Sequence, residues 1–177
     1  MWWSETDRKN GVAGPSRRLL LGALLAVAGC GFTPVYGPEG AGTALLGKVA
    51  LTAPGNDNTY AFNRRFEERL GRAREAAPYG LSLRIETDTQ DIGATSTGYT
   101  NRIRLIGRAS YALIDASTGK TLHTARTNAF TGYSTTGSTV ATRAAQRDAT
   151  ERLMVILADQ VIDDLLLHTT DLPGPAT

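Results

Sequence analysis

The stretch Arg102-Ile103-Arg104-Leu105-Ile106-Gly107-Arg108-Ala109-Ser110-Tyr111-Ala112-Leu113-Ile114-Asp115 decides the fold. Ile103, Leu105, Ala109, Tyr111 and Leu113 fall on one parity; Arg102, Arg104 and Arg108 fall on the other. Successive side chains of a strand point to opposite faces, so this period of two predicts a strand with one apolar face and one charged face. Asp115-Ala116-Ser117-Thr118-Gly119-Lys120 then reads as a hairpin turn, with Gly119 suited to a left-handed backbone. The chain resumes as strand over Thr121–Tyr133, which is rich in threonine and carries Leu122 and Phe130 on one parity.

Working outward toward the N-terminus, Leu81, Leu83 and Ile85 alternate with Ser82, Arg84 and Glu86, which predicts a further strand. Lys48–Ala53 predicts a short one. Between them, Pro54-Gly55-Asn56-Asp57-Asn58 is turn chemistry that offers helix caps. A helix is expected over Thr59–Arg74, because Phe62, Phe66 and Leu70 recur every four residues among charged neighbours, and Pro78 and Gly80 close the region. Gly93 and Gly98 lie in a Ser/Thr-rich stretch expected to be a loop.

Toward the C-terminus, Ser138 or Thr139 caps a long helix whose apolar stripe runs Ala141, Ala144, Ala145, Ala149, Leu153, Ile156, Leu157, Val161, Leu165 and ends near His168. The alanines of its first half should let it approach a sheet closely. Strand, helix, three strands, helix is an α+β order. The expected fold is a two-layer sandwich, with two helices on one face of a four-stranded, mainly antiparallel sheet.

The first thirty residues have a different character. Arg17 and Arg18 precede the uncharged run Leu19–Val27, which closes in Ala28 and Gly29 before Cys30. A basic cluster, a short apolar run and small residues read as an export signal. The run is shorter than the roughly 20 residues of a membrane-spanning helix. Cys30 is the single cysteine, so no intramolecular disulfide can form. A thiol at the cut site can take a lipid, and Val27-Ala28-Gly29-Cys30 resembles a bacterial lipobox; an ordinary signal peptide with an incidental cysteine is the alternative. Ser16-Arg17-Arg18 leaves both the general and the twin-arginine export routes open. The expected division is a signal peptide at 1–29, a lipidated linker at 30–45, one domain at 46–168 and a loose tail at 169–177.

The whole chain has 19 basic and 17 acidic side chains. The leader holds four of the former and two of the latter, which leaves the mature chain formally neutral and argues against a nucleic-acid partner. No catalytic constellation is visible. His123 sits on a strand, and His168 at a helix end, where it can complement the dipole. With no spaced cysteines or carboxylates beside them, neither a metal site nor a cofactor is expected. Asp163 and Asp164 point about 100° apart on a helix and are expected to form a solvated face. One feature exceeds background. Arg102, Arg104 and Arg108 share a face, and Lys120 and Arg126 follow across the hairpin. These five form either a phosphate-binding patch or a solvated outer face paired with Glu86 and Asp88.

The segments Gly31-Phe32-Thr33-Pro34-Val35-Tyr36-Gly37 after the lipobox, Arg108–Asp115 with Thr118-Gly119 and Leu122, Ser138–Ala149, and Leu157-Ala158-Asp159-Gln160-Val161 together resemble the lipopolysaccharide-assembly lipoprotein family, LptE, in its alphaproteobacterial form. That resemblance implies a non-enzymatic lipoprotein, with two helices on a four-stranded sheet. It implies a plug and assembly subunit inside an LptD-type outer-membrane β-barrel, with lipopolysaccharide as a ligand for the arginine face. It also implies a lipid anchor at the periplasmic face of the outer membrane; Gly31, where aspartate would be the retention residue, is compatible with sorting there. The competing reading is an auxiliary lipoprotein of a periplasmic lipid-transport complex.

Overall fold

The computed structural model describes residues 41–94 and 100–168. The leader, Cys30, the linker up to residue 40, Gly98 and the tail at 169–177 lie outside the described residues. In chain order the elements are α1 (Ala41–Leu45), β1 (Val49–Leu51), α2 (Asp57–Leu70), β2 (Tyr79–Ala94), β3 (Thr100–Asp115), β4 (Thr121–Ser134) and α3 (Thr139–Leu167). The strands form one sheet in the order β1-β2-β3-β4. β1 pairs parallel with β2, and the other two pairings are antiparallel. This is the expected α+β sandwich. The parallel pair is explained by α2, which carries the chain back across the sheet between β1 and β2.

Register settles which parity is covered. Leu81 lies opposite Leu113, Leu83 opposite Tyr111 and Ile85 opposite Ala109. Leu105, Ala109, Tyr111 and Leu113 are buried beneath the helices, as the alternation predicts. On β4 the two apolar residues of one parity part company: Leu122 lies at a register shift and packs against the core, whereas Phe130 falls on the open face. Ala109 pairs with Thr127, and Tyr111 with Ala125, so the covered face of β4 carries Ala125, Thr127, Ala129 and Thr131. Phe130 points the other way and is 66% exposed. The covered threonines are satisfied by α3: the Thr127 hydroxyl donates to Gln160 at 2.6 Å and the Thr131 hydroxyl to the Ala149 carbonyl at 2.9 Å. Polar residues are tolerated at this sheet margin because each finds a partner.

α2 begins at Asn56, whose side chain accepts from the Thr59 amide at 2.9 Å, while the Thr59 hydroxyl accepts from the Asn56 amide at 3.1 Å. It ends at Leu70, not at Arg74. Gly71 takes φ 74°, a left-handed conformation that stops the helix, and the Gly47 amide closes on the Leu70 carbonyl. Phe62, Phe66 and Leu70 are buried as their spacing predicts. Gly119 takes φ 68° in the hairpin turn, where the Asp115 carboxylate accepts from the Ser117 and Thr118 amides.

Three further differences are informative. Ala41–Leu45, part of the expected linker, is a helical turn that buries Leu45 completely. β2 continues through Gly93, a position expected to be loop, because β3 supplies a ladder along that length. The third concerns α3. Ser138 is its cap, donated to by the Ala141 amide at 3.2 Å. Yet its first three turns are largely exposed, Val140 at 78%, and continuous burial begins only near Ala149. Close approach instead depends on Gly107 of β3, where an added Cβ would lie 2.8 Å from Leu157 and 3.1 Å from Leu153. The small residue that lets helix and sheet meet is on the sheet.

The helices are also joined by charge. Arg64 pairs with Glu151, Arg65 and Arg69 both bond Asp159, and Arg69 reaches Asp163. These contacts advance along both helices together, so α2 and α3 run parallel. Burial pushes the Asp159 carboxyl up, but the two arginines outweigh it and hold it below the usual range.

Candidate functional site

The face of the sheet opposite the helices is open. Antiparallel ladders place same-face residues side by side, so one row across the sheet reads Glu86, Arg108, Asn128, and the next Arg84, Ser110, Arg126. These side chains surround a shallow recess of about 600 Å³. Arg84 pairs with Glu86 at 3.0 Å. That pairing takes up one of the two carboxylates expected to neutralise the β3 arginines, and the other, Asp88, accepts from the Thr89 amide. Among the described residues, Arg108 and Arg126 have no carboxylate partner, and each presents a bidentate fork to solvent.

The five expected cations are not one cluster. Arg108 and Arg126 meet at the recess. Arg102 and Arg104 lie further along the same face, opposite Ser134 and Gly132. Arg104 sits over the Phe130 ring, 5.1 Å from its centroid, which gives the exposed aromatic a partner. Lys120 stands apart in the exposed β3–β4 turn, about 20 Å from Arg126 by strand rise. Arg84 completes the group at the recess and was not among the expected site residues. Its parity on β2 carried the signal, but only the β2–β3 register aligns it with Ser110 and Arg126.

A second constellation lies at the sheet margin, on the helix side. The Asp164 carboxylate accepts from the Tyr111 hydroxyl at 2.6 Å and lies 2.6 Å from His123 Nε2. His168 Nδ1 bonds the Asp164 carbonyl at 2.8 Å, and the two imidazoles stack with centroids 4.3 Å apart. Burial raises the Asp164 carboxyl, yet the bonds from Tyr111 and His123 prevail and keep it low; burial and the same carboxylate push the Tyr111 phenol well above its ordinary value. Two expectations are therefore corrected. The expected solvated face holds for Asp163, which is exposed and reaches Arg69, but not for Asp164, which is the hub of a polar cluster. The histidines, distant in sequence, are neighbours. No spacing rule could show this, because the contact requires β4 and the end of α3 to dock. The hub's bonded partners are a tyrosine and two imidazoles, with no serine or cysteine nucleophile among them. His123, Asp164 and His168 are a donor set that can hold a metal ion.

A third recess, about 660 Å³, opens between the starts of α2 and α3 beside Tyr60, Arg64, Arg143 and Glu151. No described helix is long and apolar enough to cross a membrane.

With this geometry established, comparison with known proteins is direct. Residues 46–165 match the family model LptE, described as lipopolysaccharide-assembly. No curated protein matches the chain. Among solved structures, a candidate lipoprotein from Caulobacter crescentus superposes with a TM-score of 0.61 at 22% identity, covering 73% of this chain and 96% of that one. The rare lipoprotein B of Shewanella oneidensis gives 0.53 at 12% identity, over 70% of this chain and 96% of that one. A minor lipoprotein from Acinetobacter baumannii gives 0.51 at 12% identity, over 68% and 92%. At these identities the likeness is one of fold.

Proposed function

The chain belongs to the LptE lipopolysaccharide-assembly family, and from that premise we propose that it is a lipid-anchored, non-enzymatic plug and assembly subunit of an LptD-type outer-membrane barrel. In this reading, residues 1–29 are the signal peptide, Cys30 carries the lipid, 30–45 link it to the domain at 46–168, and 169–177 form a tail. The protein acts at the periplasmic face of the outer membrane. The domain fills the barrel lumen, and its open sheet face engages lipopolysaccharide.

The observation that carries the ligand part is the recess of Arg84, Arg108 and Arg126. Three guanidinium groups meet there with one carboxylate between them, over a floor of Ser110 and Asn128. Arginine forks match phosphate oxygens bidentately, and serine and asparagine add neutral donors. The phosphorylated headgroup of lipopolysaccharide has the complementary chemistry. Arg102 and Arg104 extend the cationic face beyond the recess, and Lys120 contributes charge at its far end.

The partner is tested by pull-down from detergent-solubilised outer membranes. A co-purifying barrel identified by mass supports the reading; a clean monomer, or capture of an inner-membrane transporter, overturns it in favour of an auxiliary transport lipoprotein. The ligand is tested by replacing Arg108 and Arg126 with Ala. Lipopolysaccharide affinity should fall about tenfold or more, corresponding to about 1.4 kcal/mol or more. Unchanged affinity at both low and moderate salt defeats the phosphate reading.

A further inference from the structure

The chain has two histidines, and both meet one carboxylate. Asp164 and His168 are one turn apart at the end of α3, a spacing that stacks side chains on one helix face. His123 reaches them from β4. One donor atom from each of the three residues can be chosen so that all lie within 4.8 Å of one another, and no other such grouping occurs among the described residues.

Asp164 also differs from its neighbours on the helix. Glu151, Asp159 and Asp163 each meet an arginine of α2. The described ion-pair partners of Asp164 are the two imidazoles alone. Its half-buried carboxylate thus faces two imidazoles and a phenol instead of the arginines that its helix neighbours meet, and a bound cation would supply the charge partner that those neighbours already have.

We propose that His123, Asp164 and His168 form a binding site for a single divalent transition-metal ion of the zinc type, with Tyr111 as a positioning residue. Two imidazoles and one carboxylate are borderline-soft and hard donors of the kind zinc takes, and a water can fill the fourth position at this partly exposed margin. Zinc bonds of about 2.0–2.1 Å require tetrahedral ligand atoms to stand about 3.3 Å apart. His123 Nε2 must therefore move from 2.6 Å to a slightly greater distance from Asp164 as the ion enters between them. The proton it shares with the carboxylate moves to Nδ1 or to solvent. A neutral His168 that donates Nδ1–H to the Asp164 carbonyl carries its lone pair on Nε2, and this contact orients the ring as outer-shell bonds orient other metal-bound histidines. The Tyr111 hydroxyl does the same for the carboxylate. A bound ion would clamp the end of α3 to β4 at the sheet margin, on the face of the sheet opposite the arginine recess.

The test uses the purified full chain, its affinity tag removed, stripped with chelator and titrated calorimetrically with zinc chloride. One equivalent should bind, and the melting temperature should rise with zinc and fall back with chelator. His168→Ala, at the partly exposed end of the helix and outside the apolar core, should abolish uptake. Tyr111→Phe should weaken it by about tenfold, the usual range for an outer-shell partner. Arg84→Ala should leave it unchanged. Absence of a saturable one-equivalent uptake in the wild type, or wild-type affinity in either His168→Ala or His123→Ala, overturns the proposal.

Discussion

The two faces of β3 are built from alternate residues of one segment, and they behave as different materials. On one face, Leu105, Ala109, Tyr111 and Leu113 are buried beneath two helices. On the other, Arg102, Arg108 and Ser110 meet solvent. A residue on the first face is held by packing, so changing it costs stability. A residue on the second is held by almost nothing, so its identity matters only if something binds there. The difference shows where folding ends and function begins: on this strand they are separated by one peptide unit.

The contrast is broken most severely by emptying the covered face. Leu113→Ala removes a fully buried side chain and should lower unfolding free energy by about 2–5 kcal/mol in urea denaturation. An effect below about 1 kcal/mol would mean the core has collapsed around the gap. Overfilling comes next. Gly107→Val places atoms against Leu153 and Leu157 and should cost about 1–3 kcal/mol, read as a lower melting temperature.

Smaller still is the loss of charge between the helices. Asp159→Asn weakens bonds from Arg65 and Arg69 and should cost about 1–2 kcal/mol, since all three side chains are partly solvated. The same residue has a pH signature. Its folded carboxyl titrates below the unfolded value of about 3.9, so its contribution is complete above that pH and is lost as pH falls through the lower folded value. Wild type should therefore lose stability on acidification more steeply than Asp159→Asn in that acid window; parallel curves would deny Asp159 that role. The smallest stability effect belongs to the open face. Arg126→Ala should change unfolding free energy by no more than about 0.5 kcal/mol, while on the proposed function it reduces lipopolysaccharide binding. A large stability loss there would mean the arginine serves the fold.

These comparisons also locate what could be read from residue order. The alternation in Leu81–Glu86 and Ile103–Leu113 and the four-residue recurrence of Phe62, Phe66 and Leu70 are local consequences of strand and helix geometry, and each predicts its covered face. β4 was less legible. Leu122 and Phe130 are its conspicuous apolar residues, yet only Leu122, at a register shift, packs against the core, and the rest of the covered face carries alanines and threonines whose hydroxyls α3 satisfies. The arginine face was visible as parity on β3. Its grouping was not, since Arg84 joins Arg108 and Arg126 only when three strands lie in register, and Lys120 falls away in the turn.

By itself the sequence determined the period of β2, β3 and the two long helices, the turn at Gly119, the α+β order and the charged parity of the central strand. All of these depend on residues within a few positions of one another. Only the tertiary structure decided which arginines meet, that Gly107 rather than the alanines of α3 admits the helix, and that His123, Asp164 and His168 share one place. Those contacts join distant segments, and their existence depends on the register and docking of whole elements, which side-chain order alone does not encode.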